Sequence, residues 1–219
     1  MAPGKLSITA ADAAAILQRL AEVFEQNKDR LNDLDAKIGD GDHGLSMARG
    51  FAAAAKHVAE KSPDSISAVL MEGGMQFNEA AGSTIGILMF SAMREAGKSV
   101  ADKAEAALPD LAAMLEAAIQ GIVKRGKAQV GQKTILDSLH PALEALQAGI
   151  ASGASGEEER KLVADVIQAA AAGAEATKDL KPEIGRARWF SERSVGQIDP
   201  GAVSGHLIIK TAGEYLLES

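Results

Sequence analysis

Residues 9–24 read TAADAAAILQRLAEVF, and their large apolar side chains recur every three or four positions. This spacing places them on one face of an α-helix, because one helical turn contains about 3.6 residues. Thr9 and Asp12 stand three residues apart, as the two side chains of an N-terminal capping box do. The stretch therefore predicts an amphipathic helix that begins just after Thr9.

The same helical period returns seven times farther along the chain. Hydrophobic residues make up 47% of the 219 residues but aromatic residues only 3%, so the core has to be built mainly from aliphatic side chains. Such a composition favours closely packed helices over β-sheet. We expect an all-α fold, a single domain over residues 1–219 with about eight amphipathic helices. The seven later helices are predicted near 47–58, 66–75, 87–96, 111–123, 135–146, 162–174 and 203–217.

Two stretches interrupt the helical pattern. The segment 149–159, rich in Ser, Gly and Glu, is predicted to be a surface connection. Between residues 177 and 200 the period disappears over a longer stretch that contains Arg186, Asp199 and Pro200. A long aperiodic segment in a helical domain is usually functional, so we expect these residues to form an ordered wall of a site.

Charge and composition exclude several classes of function. The chain carries 23 Lys and Arg against 30 Asp and Glu, a net charge of −7, whereas nucleic-acid binding needs a clustered cationic surface. It has no cysteine, which excludes disulfides, thiolate catalysis and Cys-based zinc sites. No apolar run approaches the ~20 residues that cross a bilayer. We expect a soluble, cytoplasmic protein that binds neither nucleic acid nor membrane.

The densest group of polar residues lies in the stretch 34–44, LDAKIGDGDHG. Asp40 and Asp42 are two positions apart and can point to the same side of a turn, with Asp35 arriving from the end of the preceding helix. Three carboxylates suit Mg²⁺, which commonly completes its shell with nucleotide phosphates. A calcium-binding EF-hand is excluded, because Phe51 stands where that loop needs Glu. An ordinary turn between helices, capped by its Asp side chains, is the alternative.

Phosphate-binding motifs give a weaker signal. Gly39, Gly41 and Gly44 match G-x-G-x-x-G formally, but a dinucleotide fingerprint must follow a strand, and a helical pattern precedes this one. The stretch 82–86, GSTIG, opens an apolar helix and can offer its backbone N–H groups to an anion. Small residues there can equally serve close helix packing. Thr134 opens another helix, where it is most simply a cap.

Taken in order, these motifs resemble the family of L subunits of dihydroxyacetone kinases, often called DhaL. The resemblance extends from near residue 10 to the C-terminus. It implies an antiparallel barrel of eight helices that holds a nucleotide at one end, in the loops between helices. The motifs that carry it are 34–44, 126–128, 131–134, 185–187, 192–194 and 199–202.

The resemblance also implies the contents of the site. Two Mg²⁺ ions are expected to bridge the phosphates of ADP or ATP, and the expected metal ligands are Asp35, Asp40 and Asp42. No catalytic residue is expected in this chain, because phosphoryl transfer mainly needs positioning and charge neutralisation. The implied nucleotide contacts are His43, Ser46, Gly82, Ser83, Thr84, Thr134, Arg186, Asp199 and Pro200.

The family divides its reaction between subunits. The resemblance implies that a separate K subunit holds the ketose while this chain donates the phosphoryl group. Either ATP exchanges freely, or a phosphotransferase M subunit recharges bound ADP. The chain departs from the family at Ile85, where a serine is usual, and at Gln132, where an aspartate is usual. A kinase for another ketose such as erythrulose, and a non-enzymatic regulatory module controlled by nucleotide, are the alternatives.

Overall fold

A computed structural model describes residues 6–184, 188 and 194–218. Within these residues eight α-helices follow one another, each packed against the next, and the last returns to pack against the first. The predicted all-α antiparallel barrel is confirmed. The helices are α1 Ala10–Asp35, α2 His43–Lys61, α3 Ile66–Ala81, α4 Thr84–Ser99, α5 Leu108–Gly126, α6 Leu136–Ala151, α7 Glu157–Ala176 and α8 Pro200–Glu218.

The first helix begins where the sequence predicts. The Thr9 hydroxyl accepts the N–H of Asp12, and the Asp12 carboxylate accepts the N–H of Thr9 at 2.8 Å, so both halves of the capping box are present. The helix runs beyond the apolar stripe that ends at Phe24, because Leu31 is fully buried against the rest of the barrel. Tertiary packing thus extends α1 by three turns, to Asp35.

Two short strands lie beside the first and fifth helices. β1, Ser7–Thr9, pairs antiparallel with β2, Glu105–Ala107, with Ile8 opposite Ala106. Strands of three residues leave no detectable alternation in a sequence, so the sequence does not predict this ribbon. It ties the N-terminal segment to the start of α5.

The predicted connection at 149–159 is shorter than expected. α6 continues to Ala151, and α7 begins at Glu157, so that only 152–156 are non-helical. Glu157, Glu158 and Glu159 form the first turn of α7. Carboxylates are favoured there because they face the positive end of the helix dipole.

The interior of the barrel contains a group of three aromatic rings. Phe24 and Phe51 are stacked with their ring centroids 4.8 Å apart, and Phe77 meets Phe51 edge-on at 4.9 Å. All three side chains are buried, and they join α1, α2 and α3. Elsewhere the core is aliphatic, as the composition predicts. None of the helices in the described part of the chain is both long and apolar enough to span a membrane.

Candidate functional site

The site lies at one end of the barrel. Because consecutive helices run in opposite directions, the N-termini of α2, α4, α6 and α8 meet the C-termini of α1 and α5 there. A cavity of about 620 Å³ opens at this end. Its volume is within the range of about 300–1,000 Å³ that is typical of small-molecule sites. The N-terminal ends of four helices add partial positive charge around the cavity.

Asp35, the last residue of α1, organises the turn that follows it. Its Oδ2 atom accepts the backbone N–H groups of Gly41 at 2.9 Å, Asp42 at 3.0 Å and His43 at 3.3 Å. Gly41 has a φ of +79°, a conformation that glycine adopts without strain. The turn therefore folds back over the end of α1 and into the start of α2.

This turn brings the three predicted metal ligands together. One carboxylate oxygen from each of Asp35, Asp40 and Asp42 lies within 4.8 Å of the other two. All three residues line the cavity, and Asp40 and Asp42 are exposed to solvent. Several carboxylate oxygens converging on one point match the ligand preference of Mg²⁺, which binds oxygen at about 2.0–2.1 Å. The residues present fit a magnesium site.

A close contact between α1 and α2 supports this arrangement. Gly44, in the first turn of α2, faces the backbone of α1 so closely that a Cβ atom would lie 2.0 Å from the carbonyl oxygen of Lys28. Asn32 adds a hydrogen bond at the same crossing, because its Oδ1 accepts the N–H of Leu45 at 3.1 Å. Glycine at position 44 thus permits the approach that sets Asp42 beside Asp35.

His43 lines the cavity in its neutral form. Its Nε2 atom shares a hydrogen bond of 2.8 Å with the hydroxyl of Ser204, which is fully buried in α8. Burial lowers the pKa of His43 to about 4, although the Asp35 charge and a backbone hydrogen bond with Pro200 oppose this shift. A neutral imidazole has one donor nitrogen and one acceptor nitrogen. The hydrogen bond with Ser204 holds the ring in one orientation.

Of the four nucleotide contacts predicted in and beside the phosphate loop, two line the cavity and two do not. Ser83 and Thr84, at the N-terminus of α4, belong to the cavity lining, whereas Ser46 and Gly82 do not. Ser83 makes no side-chain capping bond to α4, and its hydroxyl instead contacts the Ser46 hydroxyl at 3.4 Å. Ser46 is buried, so it supports the loop from below.

Thr134 lines the cavity beside the N-terminus of α6. The buried carboxylate of Asp137 accepts its N–H at 2.6 Å and also accepts the N–H of Gly131. In addition, the Thr134 hydroxyl accepts the N–H of Leu136 at 3.2 Å. These bonds hold Thr134 in place at the cavity wall.

Asp199 and Pro200 enter the cavity at the start of α8. Asp199 is only 7% exposed, and its carboxylate accepts the N–H of Ala202 at 2.7 Å. Burial raises the pKa of Asp199 to about 7, and the Asp137 and Asp35 charges add to the rise. The Ala202 N–H and the Lys133 charge oppose it. Arg186, the remaining predicted contact, lies outside the described residues.

Sequence reasoning missed two features of the cavity. The first is Lys133, which the sequence marks only as a member of the 131–134 motif. Its buried side chain reaches four backbone carbonyls that lie 44 to 64 positions later in the chain. No local pattern signals contacts over that separation.

The second feature is apolar lining, which is suited to a flat organic ring. It is formed by Ile85, Leu88, Ile122, Ala128 and Ile184.

The fold and the cavity together define a class of protein. Its members are barrels of α-helices that carry a cluster of carboxylates among the helix N-termini at one end. The chain belongs to the DAK2 domain family, whose sequence pattern matches residues 37–214. It is 38% identical to the ADP-binding subunit DhaL of PEP-dependent dihydroxyacetone kinase 1 of Listeria innocua, over 88% of this chain and 89% of that protein. The corresponding subunit of Escherichia coli is 30% identical, over 86% and 88% of the two chains.

Longer relatives contain a similar region. A D-erythrulose kinase of Mycolicibacterium smegmatis is 34% identical over 92% of this chain, which spans 34% of that protein. The crystal structure of the dihydroxyacetone kinase from C. freundii in complex with AMP-PNP and Mg²⁺ aligns with a TM-score of 0.69 and 26% identity. That alignment covers 93% of this chain and 34% of the other. The relatives thus include kinases and kinase subunits.

Proposed function

We propose that this chain is the nucleotide-binding, phosphoryl-donating subunit of a dihydroxyacetone kinase. It holds ADP or ATP with Mg²⁺ and serves a short ketose bound on a separate K subunit. The observation that carries the proposal is the convergence of Asp35, Asp40 and Asp42 within 4.8 Å, in a cavity ringed by helix N-termini. Membership of the DAK2 family supports the same assignment.

The three aspartates would hold two Mg²⁺ ions against the nucleotide phosphates. When bound, the metal neutralises charge on the phosphoryl oxygens, which is the main requirement of phosphoryl transfer. Asp35 is fixed by three backbone N–H groups through Oδ2, so its position does not depend on the metal. Asp40 and Asp42 are exposed at the cavity and can adjust to the ions.

The remaining cavity residues would bind and orient the nucleotide. The Ser83 side chain does not cap α4. The N–H of Gly86 donates to the Ser83 carbonyl at 3.0 Å, which leaves the N–H groups of Thr84 and Ile85 to donate to a phosphate. Neutral His43 adds no charge beside the metal, and Thr134 offers a hydroxyl. The apolar lining around Leu88 and Ile122 is suited to the base.

The contribution of this chain to phosphoryl transfer is then mainly to position the nucleotide. The γ-phosphoryl group passes to a hydroxyl oxygen of the ketose, ADP remains on this chain, and the hydroxyl proton is released. No residue of this chain is assigned as a base. Relatives that are ADP-binding subunits of PEP-dependent kinases support ADP as the resident nucleotide. Recharging of that ADP by an M subunit is part of the proposal, and free exchange of ATP is its alternative.

Calorimetry tests the proposal directly. Mg²⁺-ADP is titrated into the wild type, Asp40→Asn and Asp42→Asn, with Asp33→Asn as the matched control. Asp33 is an exposed carboxylate on α1 outside the cavity lining. We expect binding in the wild type and control, and at least about a tenfold loss of affinity in each of the other two variants. A wild type that fails to bind, or unchanged affinity in both site variants, overturns the proposal.

A kinase for erythrulose is the second candidate. The observation in its favour is the 34% identity to the D-erythrulose kinase, close to the 38% found for a dihydroxyacetone kinase subunit. Phosphorylation of dihydroxyacetone and of both erythrulose enantiomers, measured with the cognate K subunit, separates the two. Higher kcat/KM for a tetrose favours the second candidate. Nucleotide binding without turnover of any ketose would favour the regulatory module instead.

A further inference from the structure

The ammonium group of Lys133 joins two segments of backbone that are distant in sequence. Its Nζ atom lies 2.7 Å from the carbonyl oxygen of Thr177 and 3.2 Å from that of Leu180, both just after α7. It also lies 2.8 Å from the carbonyl of Ser194 and 2.7 Å from that of Gln197, both just before α8. An ammonium has three hydrogens, so at least one of them is shared between two carbonyls.

The four carbonyl oxygens around the Lys133 Nζ atom require a positively charged group at that position rather than an apolar one. Lys133 is only 3% exposed, and its side chain reaches inward from the loop before α6 to these four carbonyls. Four carbonyl oxygens directed at one point would repel one another without a positive charge between them. Burial lowers the pKa of Lys133, while the Asp199 and Asp179 charges oppose that shift.

The same two segments carry a wall of the cavity. The N–H of Gly196 donates to the Lys178 carbonyl at 2.9 Å, and the N–H of Asp199 donates to the Thr177 hydroxyl at 2.9 Å. Both bonds lie beside the carbonyls that Lys133 contacts. The position of Asp199 in the cavity therefore depends on the junction between these segments.

We propose that Lys133 is a positioning residue: its ammonium fastens the end of α7 to the start of α8 and thereby sets Asp199 and Pro200 in the cavity wall. The affinity for nucleotide then depends on a charge that does not itself need to contact the nucleotide. This second statement rests on the proposed function, whereas the fastening of the backbone does not.

Amide hydrogen exchange without nucleotide tests the fastening. Lys133→Met keeps the length and apolar stem of the side chain but removes its charge. We expect at least about tenfold faster exchange at the amides of Gly196 and Asp199 in this variant. Lys178→Met is the control, because Lys178 lies in the same segment but pairs through its side chain with Glu175 at the surface. Unchanged exchange in Lys133→Met overturns the proposal.

Calorimetry with Mg²⁺-ADP on the same variants tests the consequence for the site. We expect about a tenfold weaker affinity in Lys133→Met and little change in Lys178→Met. Equal affinity in wild type and Lys133→Met would refute the positioning role. If the wild type itself does not bind Mg²⁺-ADP, the proposed function fails, and the exchange measurement still decides whether Lys133 holds the backbone.

Chemical rescue covers the case in which Lys133→Met does not fold. Lys133→Ala leaves room beside the four carbonyls for a small alkylammonium ion. We expect ethylammonium to restore slow exchange at Gly196 and Asp199, and tetramethylammonium, which has the charge but no N–H, to have no effect. Failure of ethylammonium to rescue, or equal rescue by both ions, contradicts the proposal.

Discussion

The Oδ2 atom of Asp35 accepts the backbone N–H of Gly41, six positions later in the chain, at 2.9 Å. One of the three candidate metal ligands therefore shapes the turn that presents the other two. This gives the aspartates unequal roles. Asp35 is needed for the fold of the turn with or without a metal, whereas Asp42 makes no side-chain capping bond to α2.

Because the roles are unequal, substitutions at Asp35 and Asp42 should change the stability of the protein by unequal amounts. In the presence of a chelator, Asp35→Ala should lower the free energy of unfolding by about 2 kcal/mol, because three backbone N–H groups lose a charged acceptor. Asp42→Asn should change it by less than about 0.5 kcal/mol and should relieve some repulsion between carboxylates. Urea denaturation measures both. Equal losses in the two variants would contradict the role assigned to Asp35.

Gly44 should be intolerant of even one added methyl group. A Cβ atom would meet the Lys28 carbonyl oxygen at 2.0 Å, and the backbone atoms on both sides cannot move aside cheaply. We expect Gly44→Ala to destabilise the protein by roughly 1–3 kcal/mol and to weaken Mg²⁺-ADP binding, because α2 must move away from α1. Thermal unfolding and calorimetry measure the two effects.

Ala52→Gly is the control for that change. It makes the reverse substitution on the exposed face of the same helix, α2. It should lower stability by about 1 kcal/mol through helix propensity alone and leave nucleotide binding unchanged. Loss of binding in both variants would show that nucleotide binding depends on the stability of the protein in general rather than on the contact between α2 and α1.

Asp137 should matter for both stability and the site. Asp137→Ala removes the acceptor of the N–H groups of Thr134 and Gly131, and we expect a loss of about 1–3 kcal/mol together with weaker nucleotide binding. Asp165→Ala, an exposed carboxylate on α7, is the control and should change neither. Normal nucleotide binding by Asp137→Ala would show that Thr134 does not need this support.

Asp199 should make stability depend on pH. Asp199 in the folded protein holds its proton up to about pH 7, whereas in an unfolded chain the carboxyl group releases it near its ordinary pKa of 3.8. Raising the pH from about 4 to about 7 therefore lowers the free energy of unfolding, and the loss is complete above pH 7. Asp199→Asn removes this loss, because an amide stays neutral and its oxygen can still accept the Ala202 N–H.

The experiment compares wild type with Asp199→Asn in chelator from pH 4 to pH 8. We expect the variant to gain stability relative to the wild type as the pH rises, by up to about 4 kcal/mol at pH 8. The half-buried imidazole of His43 is present in both proteins, so the opposite pH dependence that it contributes cancels in the difference. A difference that does not change with pH would show that Asp199 ionises normally.

The sequence by itself determined the features that arise within a few residues of chain. Apolar spacing identifies each helix, and Thr9 with Asp12 marks the first helical residue. The short interval from Asp35 to Asp42 suffices to bring three carboxylates together, because one turn between two helices connects them. Local geometry dominates such features, so they can be predicted from spacing alone.

Only the tertiary structure decided the contacts between distant segments. Ser204 meets His43 across 161 positions, and the carbonyls around Lys133 come from residues 44 to 64 positions away. The shifted pKa values of His43 and Asp199 likewise follow from burial, which depends on how all eight helices close into a ring. Chain connectivity leaves these distances and environments open, and packing fixes them.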